Sequence, residues 1–151
     1  MNPTSALTLE AWVFPTAHGS GTWRNVIIKE RPNGEVYNLY SNADTNVPTV
    51  YVDPAPNTWL DARGTAQLPL NAWTHLAGTY DGTTLRLYAN GVQVGSRPVS
   101  GALVTSTGAL RIGGNSVWGE FFQGRIDEVR VHNRALSATE VQTIMNLPLA
   151  P

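Results

Sequence analysis

Apolar and polar residues alternate with period two along much of this chain, which is the pattern of strands that bury one face. From Leu7 to Phe14, Leu7, Leu9, Ala11 and Val13 point one way and Glu10, Trp12 and Phe14 the other, until Pro15 ends the run. The second face carries two aromatics, so this strand is predicted to be central and covered on both sides. His18 to Gly21 reads as a loop, Val26 to Lys29 as a short apolar strand, Pro32-Asn33-Gly34 as a turn and Val36 to Ser41 as a further strand. Three prolines interrupt the region from Val47 to Arg63. It is expected to form one or two short strands near a binding edge, with Trp59, Asp61 and Arg63 alternating.

Trp73 to Tyr80, Leu85 to Ala89 and Val92 to Arg97 are separated by Asp81-Gly82 and Asn90-Gly91. Both dipeptides favour tight hairpin turns because Asn, Asp and Gly tolerate positive φ, so a three-strand meander is predicted. Leu110 to Gly113 and Arg125 to His132 complete the strands and flank a Gly-rich loop. Ser137 stands three residues before Glu140, the spacing of a capping box. Val141, Ile144 and Met145 follow at helical spacing, and Pro148 is expected to close the element. One short helix after many strands is expected to pack on the edge of a sandwich.

Composition agrees. Only 14% of the 151 residues are charged, while Gly and Pro number 14 and 10, as in a turn-rich all-β protein. The chain reads as one domain, residues 1–151, long enough to bury a core. It has no cysteine, hence no disulfide or thiolate metal site. The basic residues, nine arginines and Lys29, are scattered, so no nucleic-acid-binding stripe is present. No apolar run approaches membrane-spanning length, and the first residues carry no signal-peptide pattern. Low Lys content with many Thr and Asn residues suits an exported bacterial domain.

The candidate chemistry lies in three places. If Arg125 to His132 alternates without interruption, Asp127 shares a face with Val129 and Val131, which is costly for an unpartnered carboxylate. It then either accepts backbone hydrogen bonds or pairs with Arg111 or Arg130, or it ligates calcium, which prefers six to eight oxygen ligands. Glu128, facing the other way, is expected to pair with an arginine at the surface. In the loop from Gly113 to Gly124, Asn115, Trp118 and Glu120 have the composition of a sugar site, with a ring to stack on a pyranose and polar groups for its hydroxyls. The alternative is that Trp118 plugs the end of the sandwich and Glu120 pairs with Lys29 or Arg24. Trp23, Tyr37, Trp59, Asp61 and Arg63 form a second candidate set along one sheet face, whereas Trp12 and Trp73 are assigned to the core. His18, His75 and His132 lack zinc-site spacing.

The segments LTLEAWVFPT (7–16), NAWTHLAGTYDGTTLRLYANG (71–91) and LRIGGNSVWGEFFQGRIDEVRVHNRALSATEV (110–141), and more loosely WRNVIIKE (23–30), resemble the laminin G-like, concanavalin A-like jelly-roll domains of bacterial secreted proteins. The resemblance implies an all-β fold of two antiparallel sheets packed face to face, with one short C-terminal helix. It also implies an accessory module that binds carbohydrate or protein, often with a structural Ca²⁺. Such domains usually carry one or two more strands before the LEAWV segment. Only Met1 to Ala6 stand there in this chain, so an open sheet edge is expected beside that strand, with self-association as a consequence. Glycoside hydrolases of the laminarinase-like kind on this fold present E-x-D-x-E along one strand. The corresponding run here is Arg125-Ile126-Asp127-Glu128-Val129, so both glutamate positions are lost, and no G-x-S-x-G occurs.

The expectation is therefore a non-catalytic, lectin-like module of a secreted or cell-surface protein. A structural or adhesion module contacting protein, and a spacer within a larger secreted enzyme, are the alternatives. Chelation separates the two readings of Asp127: a structural calcium there makes the melting temperature fall on adding EDTA, and a hydrogen-bonded carboxylate leaves it unchanged.

Overall fold

The computed structural model describes residues 2–19 and 21–147. Two five-stranded antiparallel sheets pack face to face. In chain order the strands are β1 (Leu7–Pro15), β2 (Arg24–Arg31), β3 (Gly34–Asn42), β4 (Thr49–Val52), β5 (Leu60–Arg63), β6 (Thr74–Tyr80), β7 (Thr84–Ala89), β8 (Val92–Pro98), β9 (Leu110–Ile112) and β10 (Gly124–His132), followed by helix α1 (Ala138–Ile144). One sheet runs β10-β1-β6-β7-β8 and the other β5-β4-β3-β2-β9. The expected β-sandwich, the 73–97 meander and the two short strands within 47–63 are all present.

The core lies between the sheets. Leu7, Leu9, Ala11 and Val13 of β1 meet Tyr37, Leu39, Val50 and Val52 of the opposite sheet, together with Leu76, Tyr80, Leu85 and Leu87. Where β6 crosses β4 the backbones come close enough to require glycine. A Cβ on Gly78 would lie 2.5 Å from Val50 Cγ2, well inside van der Waals contact.

β1 is central, paired to β6 on one side and β10 on the other, so it is not the open edge expected from its position near the start of the chain. The sheets end instead at β8, β10, β5 and β9. Trp12 and Trp73 are not in the inter-sheet core. Trp73 is 42% exposed beside Phe14, and Trp12 is half-buried, its indole donating to the Met145 carbonyl at 3.1 Å.

That contact places α1, which lies over the outer face of the first sheet rather than on its edge. Val141 and Leu136 pack with Ala77 of β6 and Tyr88 of β7. The capping box forms as expected: Ser137 accepts from the Glu140 amide and Glu140 accepts from the Ser137 amide. Pro148, expected to close the helix, lies outside the described residues.

The face that α1 helps to cover contains a fully buried carboxylate. Glu10 Oε1 lies 3.0 Å from His132 Nε2 and 3.7 Å from Arg130, and Oε2 lies 3.3 Å from His75 Nε2. His75 and His132, far apart in sequence, thus meet at one carboxylate through cross-strand pairing, because Thr8 opposes His132 and Trp12 opposes His75 on adjacent strands. Burial alone would raise the Glu10 pKa, but the two imidazoles outweigh it and hold it below the ordinary carboxylate value. A depressed folded-state pKa contributes stability above the unfolded value, and that contribution is lost as pH falls through the folded one. We expect Glu10→Gln to cost about 3 kcal/mol at pH 7, measured by urea unfolding. The gap between wild type and variant should narrow below pH 4; a gap independent of pH would show that the Glu10 charge contributes nothing.

Candidate functional site

Bulges decide which side chains reach the outer face of the second sheet. In β3, Lys29 of β2 opposes Tyr37 while Glu30 opposes Glu35, so Val36 is an extra residue. Strict alternation would put Glu35 with Tyr37 and Leu39 in the core. The bulge turns it outward, onto the face of Asn38 and Tyr40. On β4 the alternation holds, with Val50 and Val52 inward and Tyr51 outward, opposite Asn38.

Trp23, Tyr40, Tyr51, Trp59, Trp118, Glu35 and Glu120 line one open pocket of about 380 Å³ on this face. Trp23, Tyr40 and Tyr51 form its base as a mutually tilted aromatic triad, with ring centroids 4.9, 5.9 and 6.0 Å apart. Trp59 and Trp118 stand at the rim, 46% and 45% exposed.

Each rim residue is pinned from behind. Trp59 takes a positive φ of 43°, a strained value for a bulky residue. Buried Asp53 holds it there, with Oδ1 accepting the Trp59 amide at 2.5 Å and Oδ2 pairing with Arg31 at 3.1 Å. Asn115, almost fully buried, ties the other wall: its carbonyl oxygen accepts the Trp118 amide at 2.8 Å and its amide donates to Glu120 Oε2 at 2.7 Å. Glu30 anchors the same loop, accepting from the Ser116 amide at 2.7 Å and pairing with Arg111 at 2.9 Å. Burial tends to raise the Glu30 pKa, but these donors overcome it and lower it below the ordinary value.

The two pocket carboxylates differ. Glu120 accepts from the Tyr40 hydroxyl at 2.6 Å as well as from Asn115. Glu35, only 3% exposed, accepts from the Asn38 amide, yet its pKa is pushed up to about 8. Burial is the largest cause, followed by the charge of Asp53. Asn38 and Arg31 pull the other way, while Glu120 adds to the rise. At neutral pH Glu35 is therefore mostly a protonated acid and a hydrogen-bond donor.

The structure thus joins the two candidate sets. Trp23, Trp59, Trp118 and Glu120 share the pocket, and Asn115 supports it. Trp118 does not plug the sandwich, and Glu120 pairs with neither Lys29 nor Arg24, which bond backbone carbonyls. Tyr37 is fully buried between the sheets and is not a site residue. Asp61 and Arg63 stand behind Tyr51: Asp61 binds Arg63 and Arg97, and Arg63 reaches Asp44 and the Tyr51 hydroxyl. Glu35, Tyr40 and Tyr51 were missed. Parity could have found both tyrosines, since Leu39 and Val50 mark the inward positions beside them; Glu35 was hidden by the bulge.

Asp127 needs correction. Trp12 opposes Asp127 but Glu10 opposes Arg130, so β10 carries an extra residue, and Glu128 sits there at φ 52°. Ile126, Val129 and Val131 pack on the core while Asp127 is exposed, accepting the Glu128 amide at 2.8 Å. Glu128 pairs with Arg130, as expected of a surface glutamate, and Arg111 pairs with Glu30. Asp127 therefore does not fit an inward calcium site. Among the described residues no group of three or more His, Cys, Asp or Glu side chains is placed to hold a metal ion.

A family model described as the concanavalin A-like lectin/glucanases superfamily matches residues 1–142. The chain is 27% identical over 150 residues to the adhesion G-protein coupled receptor V1 of Danio rerio, covering 93% of this chain but 2% of that receptor. It superposes on domain 4 of AbnA, a GH43 extracellular arabinanase of Geobacillus stearothermophilus, in complex with arabinotriose, with a TM-score of 0.76 and 22% identity over 93% of this chain and 66% of that one. The heptameric SAP-like pentraxin of Limulus polyphemus gives a TM-score of 0.73 at 17% identity, over 99% of this chain and 75% of that one.

Because Trp118 is half exposed and held by Asn115 through its backbone amide, Trp118→Ala should cost no more than about 1 kcal/mol of stability. Asn115→Ala should leave the fold intact while disordering the loop, read as line broadening of the Trp118 indole signal. A Trp118→Ala loss of several kcal/mol would restore the plug.

Proposed function

The chain belongs to the concanavalin A-like lectin/glucanases superfamily as a laminin G-like domain, and on that premise we propose that it is a non-catalytic, carbohydrate-binding module of an extracellular or cell-surface protein. The observation that carries this reading is the pocket itself. Two exposed tryptophans, pinned at the rim over an aromatic floor, offer flat apolar surfaces for sugar rings. Glu120 and the protonated Glu35 supply an acceptor and a donor for hydroxyl groups between those rings. Preorganisation by Asp53 and Asn115 lowers the entropy lost on binding. The sugar complex of the arabinanase domain of like fold supports the same ligand class for this chain.

Two carboxyl groups in one pocket are also the raw material of glycoside hydrolysis. Here β10 carries Arg125 and Val129 in place of the paired glutamates of E-x-D-x-E. The reading is therefore of a module that holds its sugar unchanged.

A protein-contacting adhesion module is the second reading. Leu110, Ile112 and Phe121 are exposed at and beside edge strand β9, the relative named above is an adhesion receptor, and self-association through that edge would follow. The experiment is a glycan array with wild type and a Trp59→Ala/Trp118→Ala double variant, paired with size-exclusion chromatography and a reducing-end assay. Carbohydrate binding is expected in wild type, weakened at least tenfold in the variant, with no reducing ends released. An empty array with a concentration-dependent dimer favours adhesion, and released reducing ends overturn the non-catalytic assignment.

A further inference from the structure

The pocket has an excess of acid with no base. Of the seven described residues that line it two are carboxylic acids, five are aromatic, and none is Lys, Arg or His. Among the described residues the arginines around it are engaged, Arg24 by the His18 and Phe121 carbonyls. Arg31 pairs with Asp53, Arg63 with Asp44 and Asp61, and Arg111 with Glu30. Glu120 is held by a phenol and an amide, and Glu35 by an amide. A carboxylate desolvated among neutral donors gains from a cation, and aromatic faces attract one through their quadrupoles. A positively charged group suits this lining, and the exposed indoles favour one carried on a ring with an apolar face.

We propose that the ligand of this pocket is a sugar bearing a free, protonated amino group, its ring stacked on Trp59 or Trp118 and its ammonium directed at Glu35 and Glu120. The inference rests on the carbohydrate reading above and narrows it from sugars in general to amino sugars. It also orders the alternatives. An N-acetylated sugar keeps the ring but loses the charge, and an acidic sugar brings a negative group toward two carboxyl groups.

Charge recognition has a consequence that shape recognition lacks. In the free pocket Glu35 keeps its proton to about pH 8, because burial and the charges of Asp53 and Glu120 oppose ionisation. An ammonium ion arriving beside it favours the carboxylate, so the proton leaves to the buffer as the ligand binds. A neutral sugar stacks without releasing one.

The test is calorimetry at pH 6.5, in two buffers of different ionisation enthalpy, with a fully de-N-acetylated glucosamine tetrasaccharide, its N-acetylated counterpart and tetramethylammonium. We expect the amino sugar to bind at least tenfold more tightly than the acetylated one and with proton release. Glu35→Gln and Glu120→Gln, both isosteric, should each reduce that preference, and Glu35→Gln should abolish the proton release. Equal or tighter binding of the acetylated tetrasaccharide overturns the amino-sugar assignment and leaves the carbohydrate reading standing. Tetramethylammonium binding as tightly as the amino sugar overturns the need for a sugar ring. Binding by no saccharide overturns both this inference and the reading on which it rests.

Discussion

Burying a carboxylate away from a counter-charge costs several kcal/mol, and this domain faces that cost on both of its outer sheet faces. The inner faces are fully committed to the apolar core, so every acid on a strand must be turned outward. A one-residue bulge is enough to do it, because an inserted residue reverses the parity of all that precede it. At Val36 the bulge carries Glu35 out of the core and into the pocket; at Glu128 it carries Asp127 out to solvent. Those two insertions decide where Glu35 and Asp127 point.

The two buried glutamates, Glu10 and Glu35, show how the same side chain takes opposite roles. Glu10 is surrounded by two imidazoles and a guanidinium beneath a helix, and its pKa is lowered. Its carboxylate ties β1 to β6 and β10. Glu35 is surrounded by another acid, an amide and aromatic rings at the bottom of an open pocket, and its pKa is raised to about 8. The cation that bears on it, Arg31, is already paired with Asp53. A closed, charge-balanced site is structural chemistry, whereas an open, unbalanced one is available to a ligand.

Much of the architecture was legible from alternation and turn residues. The meander needed only Asp81-Gly82 and Asn90-Gly91, and the helix start only Ser137 and Glu140. Family motifs spread along the chain led to the sandwich directly. What could not be read was phase. Tyr37 is a candidate in the sequence, but it shares the inward face with Leu39, and the core took it. The Glu10 cluster was invisible for a different reason: His75 and His132 are close only through register between strands far apart in sequence. Trp118 was legible as a candidate but not as exposed, because loop burial depends on the Asn115 and Glu30 hydrogen bonds rather than on periodicity.

The five tryptophans provide an internal control for the central claim that the outer face of the β5-β4-β3-β2-β9 sheet is the binding surface. Trp23, Trp59 and Trp118 line the pocket, while Trp12 and Trp73 lie on the other sheet, away from it. Each indole N–H gives its own resonance in a proton–nitrogen correlation spectrum. On titration with a saccharide that binds, the account requires the Trp23, Trp59 and Trp118 indole signals to move together while those of Trp12 and Trp73 stay fixed. Movement of Trp12 or Trp73 with the other three unchanged would contradict it.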